Sequence, residues 1–188
     1  MSRRDSLIDL LRERSVRHGD FTLASGRKSD LYVDARLTTM SPEGLSLIGP
    51  LGLSAIRDRG WRPDSAGGLT LGADPVAYAL SYASVLAPPL VRAFSVRKEP
   101  KQHGTQKLIE GPFRSGDSVI VVEDVITSGT SALRAIDILR QSGAIVLGVL
   151  TVVDREEGGR ETLQEAGVEL ISLALAGELG PVRGPLTT

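Results

Sequence analysis

No cysteine occurs anywhere in the 188 residues. That excludes a disulfide framework, a thiolate nucleophile and a zinc-thiolate site. Aromatic residues make up only 4% of the chain, too few for the stacking platforms on which proteins hold single-stranded nucleic acid. An excess of one charge is missing too: 22 Lys and Arg against 23 Asp and Glu leave a formal net charge of −1. Such a balance gives no general pull toward nucleic acid or anionic lipid. No apolar run approaches the length of a membrane span, and the opening Met1-Ser2-Arg3-Arg4-Asp5-Ser6 carries an acid too early for a signal peptide. The expectation is a cytoplasmic protein with neither nucleic acid nor membrane as partner.

What is present suffices for one well-buried domain, since 41% of the residues are hydrophobic and the length is short for two domains. Leu7, Leu10, Leu11 and Val16 predict an amphipathic helix over Ser6 to His18, closed by Gly19. Phe21-Thr22-Leu23 and Leu31-Tyr32-Val33 read as short extended segments around a polar turn, Ser25 to Lys28. Ser41-Pro42-Glu43 opens a second helix running to about Arg59, with Ser as cap and Pro in the first turn. Strands then alternate with helices. Ser65–Leu69, Leu90–Val96, Ser118–Val122, Ile145–Val153 and Val168–Leu173 read as strands, and Pro75–Leu86, Ala132–Gln141 and roughly Gly159–Ala166 as helices. This alternation predicts an α/β fold with a mostly parallel central sheet flanked by helices on both faces. Arg97 to Gly116 fits neither period, and so long a polar connection is usually functional.

The most informative stretch is Val121-Val122-Glu123-Asp124-Val125-Ile126-Thr127-Ser128-Gly129-Thr130-Ser131. It reads as strand, acidic edge, anion-cradling loop and helix start. Small hydroxylated residues and glycine let backbone N–H groups point at a phosphate, and the helix adds its positive N-terminal dipole. The acids lie at the mouth, where carboxylates hold sugar hydroxyls or a hydrated Mg²⁺. Either acid alone would be an ordinary polar residue where a strand leaves its sheet. Two acids followed at once by Thr-Ser-Gly-Thr-Ser, beyond the carboxyl end of a parallel strand, favour a ligand site. A phosphate beside a polyol is a ribose 5-phosphate.

That stretch resembles the phosphoribosyl-pyrophosphate (PRPP) signature of type I phosphoribosyltransferases. It lacks the Gly-Lys-Ser/Thr of a Walker loop and the spaced glycines of a dinucleotide fingerprint. Arg97-Lys98-Glu99-Pro100-Lys101-Gln102-His103-Gly104 would pass for a solvated loop, yet it gathers three cations and one of the chain's two histidines. It is similar to the catalytic loop of orotate phosphoribosyltransferases. Phe21 to Asp34 is a plain hairpin on its own terms and resembles the N-terminal hood of that same family. Gly67-Gly68-Leu69-Thr70-Leu71-Gly72-Ala73-Asp74-Pro75 fits a pyrophosphate-binding loop, in which glycines allow close backbone approach. Val153-Asp154-Arg155 is similar to the Asp-Arg pair that meets the orotate carboxylate, a bidentate task suited to Arg rather than Lys. His18 joins no constellation.

The resemblance implies a type I phosphoribosyltransferase fold in one domain over 1–188, with a hood to about residue 40 and a core over about 41–175. It implies transfer of the phosphoribosyl group of PRPP to orotate, giving orotidine 5′-phosphate and pyrophosphate in pyrimidine synthesis. The implied catalytic residues are Arg97, Lys101, His103 and Asp124. PRPP would be bound by Arg97, Lys98, Lys101, His103, Glu123, Asp124 and the run Val125, Ile126, Thr127, Ser128, Gly129, Thr130 and Ser131. Orotate would meet Thr127, Arg155, Tyr32 and Val33. Mg²⁺ is the implied cofactor, bridged through PRPP with Asp124 reached through water rather than held by a dedicated ligand set. A homodimer is implied, with the loop over 97–111 reaching the neighbouring site. Two departures stand out: Ala24 and Leu71 occupy positions where many relatives carry lysine. They leave a different base, purine or uracil, as an alternative, and a PRPP-sensing regulator without chemistry as another.

Overall fold

Two apolar periods, one helical and one alternating, decide how the chain layers itself. The computed structural model describes residues 1–22, 28–99 and 107–180. Helix α1 (Arg3–Arg14) begins at a reciprocal cap, in which Ser2 accepts from the Asp5 N–H and Asp5 accepts from the Ser2 N–H. It buries Leu7, Ile8 and Leu11 and stops at Ser15. The predicted helix therefore ends earlier than expected: Val16 opens strand β1 (Val16–Thr22), which pairs antiparallel with β2 (Lys28–Val33). The helical spacing of Val16 is a coincidence, because its partner across the ladder is Val33.

A short helix α2 (Arg36–Thr39) leads to α3 (Pro42–Asp58), which starts as read from the sequence, with Ser41 Oγ accepting from the Gly44 N–H at 3.1 Å. Such a cap is worth about 1 kcal/mol. There follow β3 (Ser65–Leu69), α4 (Ala73–Leu86), β4 (Arg92–Val96), β5 (Ile109–Glu110), β6 (Ser118–Ile126), α5 (Thr130–Gln141), β7 (Ile145–Asp154), α6 (Gly159–Glu165) and β8 (Leu170–Leu175). Among the described residues, six strands form the main sheet in the order β5-β4-β3-β6-β7-β8, all parallel except β5. The α/β reading of the alternating pattern holds.

Two departures from the sequence reading bear on the site. The non-periodic segment after β4 returns as β5, a strand too short to show a period, with Arg97 N donating to Leu108 O at 2.8 Å. The loop thus springs from a hairpin stem. Strand β6 also runs on through Ile126, so Glu123 and Asp124 are ladder residues rather than the strand's end; Glu123 sits opposite Thr151.

The core divides by sheet face. Ile120, Val122, Leu150 and Val152 pack with α1, α3 and α4, whereas Val119, Val121 and Val149 pack with α5 and Leu163 of α6. Alternation along β6 then carries Glu123 toward the α5 side and Asp124 toward the α4 side. Gly67 and Gly68 serve this packing: a Cβ on Gly67 would lie 2.1 Å from Phe94 O, and one on Gly68 2.2 Å from Val122 O. Their smallness therefore has a reason inside the sheet.

Candidate active site

Strand β4 follows α4 to one side of β3, while β6 lies on the other side, so the chain reverses its strand order between β3 and β6. The carboxyl ends of two strands on either side of such a reversal leave a crevice. Here it is a cleft of about 350 Å³. Leu69 to Gly72 form one wall, Glu123 to Val125 the floor and Tyr32 to Arg36 the opposite wall, with Lys98 and Ser131 at the rim.

Adjoining it is a hollow of about 40 Å³, lined by Thr127 to Ala132 with Glu123, Val125 and Ile126. Gly129 adopts φ +80 there, a left-handed turn that glycine makes without steric cost, and Thr130 begins α5 immediately after it. The first N–H groups of a helix have no intrahelical partner and carry the positive end of its dipole. Thr127, Ser128, Thr130 and Ser131 are exposed around that turn, with Ser128 Oγ 2.9 Å from Thr130 Oγ1. An oxyanion the size of phosphate fits this arrangement without any cation.

Glu123 is buried, and its Oε1 has no hydrogen-bond partner among the described residues. Burial pushes its carboxyl up to about 8; the neighbouring charge of Asp124 adds to the rise, and Lys98 opposes it. Burial raises Asp124 as well, against the Val125 N–H that donates to its Oδ1 at 2.9 Å. A buried carboxylate oxygen without a donor is costly unless something supplies one. Sugar hydroxyls do so, and so does a hydrated divalent cation. Two oxygen-bearing side chains at the cleft floor suit Mg²⁺ held mainly by substrate oxygens and water; among the described residues no group of three or more acids or histidines forms a closed metal site.

Positions the sequence reading passed over also belong to this cleft. Asp34 and Arg36 line it, joined by two hydrogen bonds: Arg36 Nε to Asp34 Oδ1 at 2.8 Å and Nη2 to Oδ2 at 3.0 Å. No motif marks them, since an Asp-Ala-Arg after a strand is unremarkable in sequence. Gly72, already part of the expected pyrophosphate loop, gains a specific reason: a Cβ there would stand 2.3 Å from Asp124 Oδ1. The Thr70–Leu71 peptide beside it is cis.

Of the expected site residues, Tyr32, Val33, Lys98, Glu123, Asp124, Val125 and Ser131 meet in the cleft, and Ile126 to Thr130 with Ser131 in the adjoining hollow. Tyr32 is partly exposed, its ring 5.5 Å from that of Phe21. Arg97 is directed elsewhere, toward Glu110 at 3.8 Å and the Glu99 carbonyl. Lys101 and His103 lie outside the described residues. The stem of their loop is held where Arg134 of α5 donates to the Lys98 carbonyl. Arg155 is buried beneath the hairpin; its Nη2 donates to Leu31 O at 3.1 Å and to Glu157 Oε1 at 2.8 Å. Asp154 pairs with Arg160 at 2.9 Å and accepts from the Glu156 N–H, so it orders the turn rather than facing the cleft.

Comparison with known proteins agrees with this geometry. Residues 65–168 match the phosphoribosyl transferase domain. An orotate phosphoribosyltransferase of Aquifex aeolicus (strain VF5) is 45% identical over 182 residues, covering 95% of this chain and 98% of the relative. The crystal structure of Mycobacterium tuberculosis H37Rv orotate phosphoribosyltransferase in complex with Fe(III) dicitrate superposes with a TM-score of 0.85 at 44% identity, covering 96% of this chain and all of that one. A crystal structure of the Mycobacterium tuberculosis H37Rv enzyme in complex with PRPP superposes with a TM-score of 0.82 at 39% identity, again over 96% of this chain.

Proposed function

Because this chain belongs to the orotate phosphoribosyltransferases, we propose that its cleft moves the 5-phosphoribosyl group of PRPP onto orotate, releasing pyrophosphate and forming orotidine 5′-phosphate for pyrimidine synthesis. The observation that carries this is the junction of hollow and floor: a backbone-lined anion site shares the buried Glu123 with a cleft whose floor also holds the half-buried Asp124.

The 5-phosphate sits on the N–H groups of Thr127 to Ser131, and Val125 and Ile126 shape the strand end beneath the ribose. Glu123 and Asp124 accept hydrogen bonds from the ribose 2- and 3-hydroxyls. As the bond from C1 to the leaving oxygen stretches, positive charge builds on the ribose, and fixed carboxylates nearby favour that state over the ground state. Asp124 at the cleft floor would hold Mg²⁺ through water, and the ion would supply positive charge against the leaving group. Arg97, Lys98, Lys101 and His103 take the remainder when the loop closes, and His103 delivers a proton to the departing oxygen. The ring nitrogen of orotate bonds to C1 as the leaving oxygen departs and gives its own acidic proton to water, so it needs only to be held in line. Tyr32, Val33 and Thr127 position the ring, and Arg155 exchanges Glu157 for the orotate carboxylate.

The working unit is one domain with its hood, assembled as a homodimer whose loop over 97–111 reaches the partner's cleft. Helix α4 supports this, since Tyr78, Tyr82, Val85 and Leu86 recur at helical spacing and stay exposed, Tyr82 by 71% and Leu86 by 76%. No helix among the described residues is long and apolar enough to cross a membrane, and we place the enzyme in the cytoplasm. The deciding measurement is the fall in orotate absorbance on adding PRPP and Mg²⁺, against adenine, guanine, xanthine and uracil in parallel. Turnover confined to orotate is expected; turnover of another base with orotate untouched would overturn the assignment.

A further inference from the structure

The charge lining the cleft does not balance for a substrate that carries a pyrophosphate. Asp34, Glu123 and Asp124 are acidic, while the cations among the described lining residues are Arg36 and Lys98. Lys98 belongs to the loop stem and faces Glu123, whose carboxyl it pulls down. The wall over Leu69 to Gly72 contributes no charge at all. That leaves Arg36 as the cation fixed to the body of the fold, at the first position of α2.

Its geometry is that of a presented fork. Asp34 takes the Nε and Nη2 hydrogens, and the Arg36 N–H also donates to Asp34 Oδ1 at 3.2 Å, so side chain and backbone are held together. Guanidinium has five N–H donors, and those two bonds leave the Nη1 edge available. Among the described residues Nη1 has no hydrogen-bond partner, and the side chain is 48% exposed. Tyr32 and Asp124 line the same cleft, so the guanidinium shares it with the base wall and the ribose floor. A guanidinium already oriented by a carboxylate loses little freedom on meeting a second oxyanion, and phosphate oxygens match its planar edge.

We propose that Arg36 is a pyrophosphate-binding residue of this enzyme, clamped by Asp34 and presenting its Nη1 edge to the leaving group of PRPP. This rests on the PRPP reading above and supplies its stationary cation, in place before the loop closes. Arg155 instead donates to the Leu31 carbonyl of β2 and pairs with Glu157, so the base carboxylate and the pyrophosphate have separate arginines.

The test compares wild type with Arg36→Ala, Arg36→Gln and Arg36→Lys by calorimetric titration with Mg-pyrophosphate and, separately, with orotidine 5′-phosphate, which lacks that group. Losing a charge-assisted hydrogen bond should weaken pyrophosphate by about 10- to 100-fold and raise KM for PRPP similarly. Orotidine 5′-phosphate should change by less than about twofold, a difference too small to count as one lost hydrogen bond. Arg36→Gln keeps a donor toward Asp34 without the charge and should behave like Arg36→Ala; Arg36→Lys should recover part of the affinity. Equal losses for both ligands would mean a general distortion and overturn the inference. So would pyrophosphate affinity left intact in a variant of an enzyme that turns over orotate. Wild-type protein that binds neither PRPP nor pyrophosphate would overturn it together with the reading beneath it.

Discussion

Glu123 and Asp124 are neighbours in sequence on opposite faces of one strand, and their surroundings make different demands. The Glu123 carboxyl is pushed up to about 8, first by burial and then by the charge of Asp124. In an unfolded chain the same group titrates near 4.5. Between those values the folded state binds the extra proton, so stability falls as pH rises through the window. The melting temperature of ligand-free wild type should therefore drop, relative to Glu123→Gln, between about pH 5 and pH 8. Parallel curves would show that Glu123 is already ionised. Asp124 meets a steric condition instead. Gly72 has φ −65, a backbone that alanine adopts freely, so Gly72→Ala tests only the space its Cβ needs beside Asp124 Oδ1. A carboxylate displaced by an ångström should cost about 10²-fold in kcat/KM while the unfolding midpoint barely moves. A rate within a few-fold of wild type would mean that Asp124 has room to shift.

At the scale of elements, the phosphate loop is held from behind by the start of α6. A Cβ on Gly159 would stand 2.4 Å from Ile126 Cγ2 and 2.5 Å from Thr127 O, with Gly129 N at 3.1 Å. Backbone atoms cannot swing aside as a flexible side chain does, so Gly159→Ala must push the loop. We expect a loss of about 1–3 kcal/mol in stability, the usual cost of overpacking. KM for PRPP should rise more than KM for orotate, and a uniform rise in both would place the damage elsewhere. Nothing in the sequence marks Gly159 as a support, because its neighbours in space are about thirty residues away. The same distinction separates what was legible from what was not. Ser41-Pro42 announced α3, and Ser65–Leu69 was bounded correctly because turn residues flank it. The loop over 127–131 was legible since its chemistry is local. Strand β6 was cut short because two acids look like a strand's end, although burial against β7 keeps them in the ladder. Strand β5 offers only two residues, too few for any period. Arg36 escaped notice because its importance comes from the hairpin folding back over the sheet.

At the scale of the whole molecule, the exposed apolar face of α4 and the cations of the loop raise one question, since a loop from one subunit can serve another only if the subunits meet. Asp124 lies on the floor of its own subunit's cleft, whereas Lys101 is proposed to act in the partner's. Asp124→Asn and Lys101→Ala should each be nearly inactive alone. Co-expressed in equal amounts, half the dimers are mixed, and one of the two sites in each mixed dimer regains both residues. The mixture should therefore recover roughly a quarter of the wild-type rate if the dimer is a closed twofold assembly. Replacing Tyr82 and Leu86 with Arg and Glu puts charge where an apolar face would be buried, and should abolish both the dimer in sedimentation and the recovery. Recovery that survives in monomeric protein cannot occur, so monomers that retain full wild-type activity would instead show that each loop closes over its own cleft.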